Sequence, residues 1–102
     1  MDKALNLAHN ILKKEPDSLE TLLITAGILE KQGLVEEAIQ IVTAIDQVKK
    51  TEAIKHYLGI LYLESSNLKE AFNCFKEALA LKADYVPSLI EIASIVSENH
   101  AS

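Results

Sequence analysis

The sequence predicts an all-α fold, a helical solenoid of antiparallel helix pairs with about six helices. Three observations predict it. Apolar residues recur at three- and four-residue spacing along nearly the whole chain, and no stretch shows the alternation of a half-buried strand. Only three glycines and two prolines occur, too few for the many turns of a small all-β protein. Small residues return at a near-constant interval, the mark of a repeated two-helix unit.

The first apolar stripe, Leu5, Ala8, Ile11 and Leu12, stops before Pro16 and predicts a helix over 2–15. Asp17, Ser18 and Glu20 form a capping-box-like start, and the stripe Leu19, Leu22, Leu23, Ala26 and Leu29 carries the next helix to Gln32-Gly33. Leu34 opens a third helix with Glu36 and Glu37 in its first turn, where carboxylates favour the helix dipole. Its stripe is Ala38, Ile41, Val42 and Ile45. Thr51 can cap a fourth helix, which runs through Leu58, Leu61 and Tyr62 to a break at Ser65-Ser66-Asn67. Asn67 and Glu70 repeat the capping-box pattern ahead of Ala71, Phe75, Ala78 and Leu79. The sixth helix starts at Asp84 or Tyr85 and tolerates Pro87 in its first turn, where no internal partner awaits its N–H. It holds Leu89, Ile92, Ala93 and Val96 before fraying from Ser97. Short loops make neighbouring helices antiparallel.

The repeat fixes the register. Ala26, Gly59 and Ala93 recur with one period on the first helices of successive units, and Ala4, Ala38 and Ala71 recur with the same period on the second helices. The two series keep a constant offset, from Ala26 to Ala38 and from Gly59 to Ala71. The chain reads as one domain over 1–102. It comprises the second helix of a partial repeat at 2–15, full repeats at 18–50 and 51–84, a first helix at 85–98 and a tail at 99–102. Gly59 costs about 0.5–1 kcal/mol relative to alanine inside a helix. Close approach to the helix carrying Ala71 offsets that cost, with Tyr62 and Phe75 filling the space alongside.

The stretch "LGILY", Leu58-Gly59-x-x-Tyr62, followed by Ala71, Phe75 and Ala78, resembles the tetratricopeptide repeat family. The resemblance covers essentially the whole chain apart from a short tail. Pro16 stands where that family usually places its proline, just beyond the helix that carries Ala4, but the later equivalents are Lys50 and Ala83. The usual aromatic three positions before the Leu-Gly pair is Lys55 here, with Leu22 and Leu89 in the neighbouring units. The resemblance implies a right-handed superhelix whose first helices line a concave groove for a peptide or partner helix. A pentatricopeptide array, with its longer period and basic RNA-binding face, fits this acidic chain less well.

Composition narrows the function. At 49% hydrophobic and 25% charged residues, this is a folding composition. The net charge of -5 and the scatter of ten basic residues, all lysines, disfavour a nucleic-acid surface. One cysteine, Cys74, cannot make an internal disulfide and fits a reducing compartment. Neither an apolar run long enough to span a membrane nor a secretory leader is visible, so the expectation is a cytoplasmic protein or a piece of something longer.

Catalytic chemistry finds no residues. His9, His56 and His100 lack partners at metal-ligand spacing, Cys74 has no histidine one helical turn away, and no glycine-rich phosphate loop exists. Neither a catalytic site, a metal nor a cofactor is expected, and the reading is a non-enzyme. What remains is a binding surface. Helical phase puts Leu23 and Gly27, then His56, Ile60 and Leu63, then Ile90 on the groove face, with Glu20, Glu30, Ala53, Ser94 and Ser97 beside them. Chaperone-binding members of the family hold a terminal carboxylate with lysines, asparagines and an arginine on this face. None of these positions is Lys, Arg or Asn, which argues against that role. The apolar groove centre instead suggests another protein's hydrophobic or amphipathic segment as partner, with the chain as adaptor or scaffold. The alternative is self-assembly: Leu89, Ile92 and Val96 have no following helix to cover them. Two copies would then meet as a homodimer, or a longer parent protein would supply the missing helices. Met1 directly before a capping residue, Asp2, favours a complete short chain or a designed boundary.

Overall fold

The computed structural model describes residues 19–101, with side chains through Ser97, and all of its described elements are helices. They are α1 (Leu19–Lys31), α2 (Val35–Val48), α3 (Glu52–Glu64), α4 (Leu68–Leu81) and α5 (Val86–Ala101). The fold is all-α with five helices among the described residues, where about six are expected from the whole sequence. The remaining expected helix, 2–15, and with it Ala4, His9, Pro16 and the Asp17-Ser18 cap, lies outside the described residues. The chain divides into two compact units, Met1–Lys50 and Thr51–Ser102.

In the first unit α1 and α2 pack on each other. Leu22 and Ala26 of α1 are buried, as are Ala38, Ile41, Val42, Ala44 and Ile45 of α2. The turn between them has a definite chemistry. Gly33 adopts a left-handed φ of 83°. This lets Leu34 N–H donate to Leu29 C=O at 2.9 Å and Gly33 N–H donate to Glu30 C=O at 3.0 Å, satisfying carbonyls that the helix end would leave unpaired. Leu34 then serves as N-cap of α2 without a side-chain hydrogen bond, and Glu36 and Glu37 supply the favourable charge in the first turn.

Among the described residues the second unit repeats this scheme and holds a further helix, α5. Thr51 caps α3, its Oγ1 accepting from Ile54 N–H at 3.1 Å. Asn67 caps α4, its Oδ1 accepting from Glu70 N–H at 3.4 Å. Between them Ser66 sits one repeat period after Gly33 and takes the same left-handed conformation, φ 64°. The same two bonds recur, Asn67 N–H to Tyr62 C=O at 2.8 Å and Ser66 N–H to Leu63 C=O at 3.0 Å. For a residue with a Cβ this conformation costs about 1–2 kcal/mol, partly offset by its smaller freedom in the unfolded chain. Ser66→Gly is therefore expected to stabilise the chain by about 0.5–1 kcal/mol, read as a higher midpoint in urea unfolding. The core here is Ala71, Phe75 and Ile95, with Ile60, Tyr62, Leu63, Phe72 and Ile92 packed partly against it. α5 runs to Ala101, past the expected end at 98, because no glycine or proline interrupts Ser97–Ala101.

Candidate functional site

In the second unit His56, on α3, makes a polar contact and two ring contacts to the elements that follow it. Its Nδ1 shares a hydrogen bond of 3.0 Å with Ser88 Oγ on α5, in a direction set by the imidazole tautomer. The ring lies 5.3 Å from that of Phe75 on α4 and 5.7 Å from that of Tyr85, which it meets nearly edge-on. One side chain thus touches α4, α5 and the turn that joins them. Ser88 is fully buried. It stands one repeat period after Ile54, a buried apolar position of α3. A serine at a buried register position demands a polar partner, and that is the signal by which this contact could be found in the sequence.

Burial lowers the proton affinity of His56 below its ordinary value of 6.5, and the Glu91 carboxylate works weakly in the opposite direction. The unfolded chain, whose histidine keeps the ordinary value, therefore takes up a proton before the folded chain does. The contribution of neutral His56 is complete above about pH 6.5 and is lost as the pH falls through the lower folded-state value. Between about pH 7.5 and about pH 5 the melting temperature should fall more steeply in the wild-type chain than in His56→Asn, whose side chain retains a polar atom near the Nδ1 position. Equal slopes would mean that His56 is as easily protonated folded as unfolded.

The other expected groove positions lie as follows. In the first unit Leu23 and Gly27 are half-buried on α1. In the second, Ile60 and Leu63 are half-buried on α3 and pack partly on the core, so much of their apolar surface is already used. Ile90, on α5, keeps 60% of its surface exposed. Of the expected packing positions, Ala26, Ala38, Gly59, Ala71, Phe75 and Ala78 are buried, Tyr62 is half-buried and Ala93 is exposed. Leu89 and Val96 are exposed and Ile92 half-buried. A contact that spacing did not disclose joins Lys55 Nζ to Glu77 Oε2 at 2.7 Å across α3 and α4. Cys74 is buried on α4. Among the described residues no group of three or more His, Cys, Asp or Glu side chains could hold a metal ion. No described helix is long and apolar enough to cross a membrane.

No family model matches the chain. A curated relative does. The chain is 30% identical over 97 residues to the N-terminal acetyltransferase A complex auxiliary subunit NAA15 of Arabidopsis thaliana. The match takes in 94% of this chain and 11% of that subunit, so the chain spans about a ninth of the relative's length.

Proposed function

We propose that the chain is a tetratricopeptide-type, non-catalytic binding module, a scaffold segment acting within a multi-subunit assembly. The observation that carries this reading is the similarity of almost the whole chain to a stretch of an auxiliary subunit, joined to a two-helix repeat of constant register. Its ligand is a hydrophobic or amphipathic segment of another protein. In the second unit the first-helix face receives it through His56, Ile60, Leu63 and Ile90; the register equivalents in the first unit, taken by itself, are Leu23 and Gly27. Partner capture from a lysate of the source cell, comparing the native chain with Ile90→Asp and with Ile60→Asp/Leu63→Asp, tests it. Ile90 is largely exposed, so Ile90→Asp should leave the fold intact while captured partner falls about tenfold. Undiminished capture by folded Ile90→Asp and by the folded double variant would exclude this face.

A second reading is favoured by the exposure of Leu89 and Val96 on α5. It is self-assembly, as a homodimer or as part of a longer scaffold. Loss of self-association in Ile92→Asp, with no partner captured by any chain, would select it over the first.

A further inference from the structure

Ser88 has no exposed surface, and its hydroxyl meets His56 Nδ1 at 3.0 Å. Among the described residues neither Ser88 Oγ nor His56 Nε2 has a further hydrogen-bond partner. The imidazole is neutral at about pH 7, so one ring nitrogen carries the proton and the other a lone pair. The two tautomers leave Ser88 in unequal states. With the proton on Nδ1, the ring donates, Ser88 accepts, and a buried O–H is left without an acceptor. With the proton on Nε2, Ser88 donates to the Nδ1 lone pair and its one donor is used. A buried donor with no acceptor is the costlier deficit, and an oxygen lone pair with no donor the milder one. The second arrangement is therefore favoured. His56 is half-buried, and its Nε2 is open to solvent.

We propose that Ser88 locks His56 as the Nε2–H tautomer, and that this N–H is the donor by which the first-helix face of the second unit recognises an asparagine or glutamine carboxamide on the apolar side of an amphipathic partner segment. The recognition rests on the binding role proposed above for this face, and the tautomer does not. Ser88 is a positioning residue and His56 makes the contact.

The surroundings select the carboxamide. Ile60 lies one turn along α3 from His56, and Ile90 of α5 is 60% exposed. A wholly apolar segment laid across them would exclude water and leave the Nε2–H unpaired. The charged group that acts on the imidazole is the Glu91 carboxylate, and none of the face positions in this unit is Lys or Arg. An incoming carboxylate would meet that negative charge with no cation to answer it. A carboxamide is neutral, its oxygen accepts from Nε2–H, and its NH2 offers donors to Glu91.

The tautomer is read by heteronuclear NMR of the imidazole nitrogens in the full chain at about pH 8, where histidines are neutral, with His56→Asn assigning the resonances. The balance should lie about tenfold further towards Nε2–H than in the urea-unfolded chain, and Ser88→Ala should return it towards the unfolded value. A proton mainly on Nδ1, or a balance equal to the unfolded one, overturns the lock. Recognition is read with a capped amphipathic helical peptide bearing leucines on one face and one glutamine among them, and with counterparts carrying glutamate or leucine instead. The glutamine peptide should bind saturably, shift the Nε2 resonance and exceed the glutamate peptide about tenfold in affinity, a difference that Glu91→Gln should shrink. His56→Phe/Ser88→Ala keeps a ring against Phe75 and leaves no hydroxyl unpaired. In that chain, shown to be folded by circular dichroism, the affinity of the glutamine peptide relative to the leucine peptide should fall about tenfold. Absence of glutamine-peptide binding up to about 1 mM overturns the recognition. So does an unchanged ratio in the double variant, which with peptide still perturbing Ile60 and Leu63 would remove the role of His56 and leave the face as a binding surface.

Discussion

Gly59→Leu should destabilise the chain by about 1–3 kcal/mol or more, which at this size corresponds to about 4–8 °C of melting temperature for each kcal/mol. The reason is the Phe75 ring. A Cβ at position 59 would sit within 2.7 Å of three of its carbons, and the ring is fully buried and cannot swing aside into solvent. Leucine's better helix propensity opposes the clash but is worth only about 1 kcal/mol, so overpacking wins. Phe75→Leu introduced alongside should recover part of the loss, because a smaller side chain leaves room for the new one. The coupling is readable in a double-mutant cycle. An unchanged melting temperature for the single variant would contradict the contact between Gly59 and Phe75.

Phe75→Ala should be more damaging, at about 3–5 kcal/mol, a large share of the roughly 5–15 kcal/mol that holds a typical domain together. Its ring joins the Ala71–Ile95 core, fills the space opened by Gly59 and lies against His56. Removing it leaves a cavity with a glycine on one side, where no neighbouring side chain can relax inwards. The same variant should bring the acid sensitivity attributed to His56 closer to that of His56→Asn, because water can then reach the imidazole. Urea unfolding at two pH values measures both effects. A loss below about 1 kcal/mol would mean that the ring is not the centre of this core.

Much of this was legible in the sequence because it is either local or periodic. Thr51 and Asn67 were readable as caps because a cap is decided within a single helical turn. The burial of Ala26, Gly59 and Ala71 followed the interval at which small residues return. Three features needed the folded chain. Ser66 occupies the same left-handed turn position as Gly33, but a serine does not announce that conformation unless the two turns are aligned. The Lys55–Glu77 pair depends on which residues of adjacent helices face each other, a matter of helix rotation that spacing along one strand of sequence does not determine. The partial burial of Ile60 and Leu63 on the core likewise reduces the apolar surface that helical phase alone would assign to a groove.

Cys74 gives the second unit a chemical clock. Its thiol is buried on α4 beside Phe75, and it is the only cysteine in the chain. A thiol-specific reagent can therefore react at one site alone, and only in molecules where α4 has lifted from its neighbours or the unit has unfolded. The labelling rate counts those excursions directly, without a spectroscopic probe. Ser66→Gly should slow it and Gly59→Leu should quicken it.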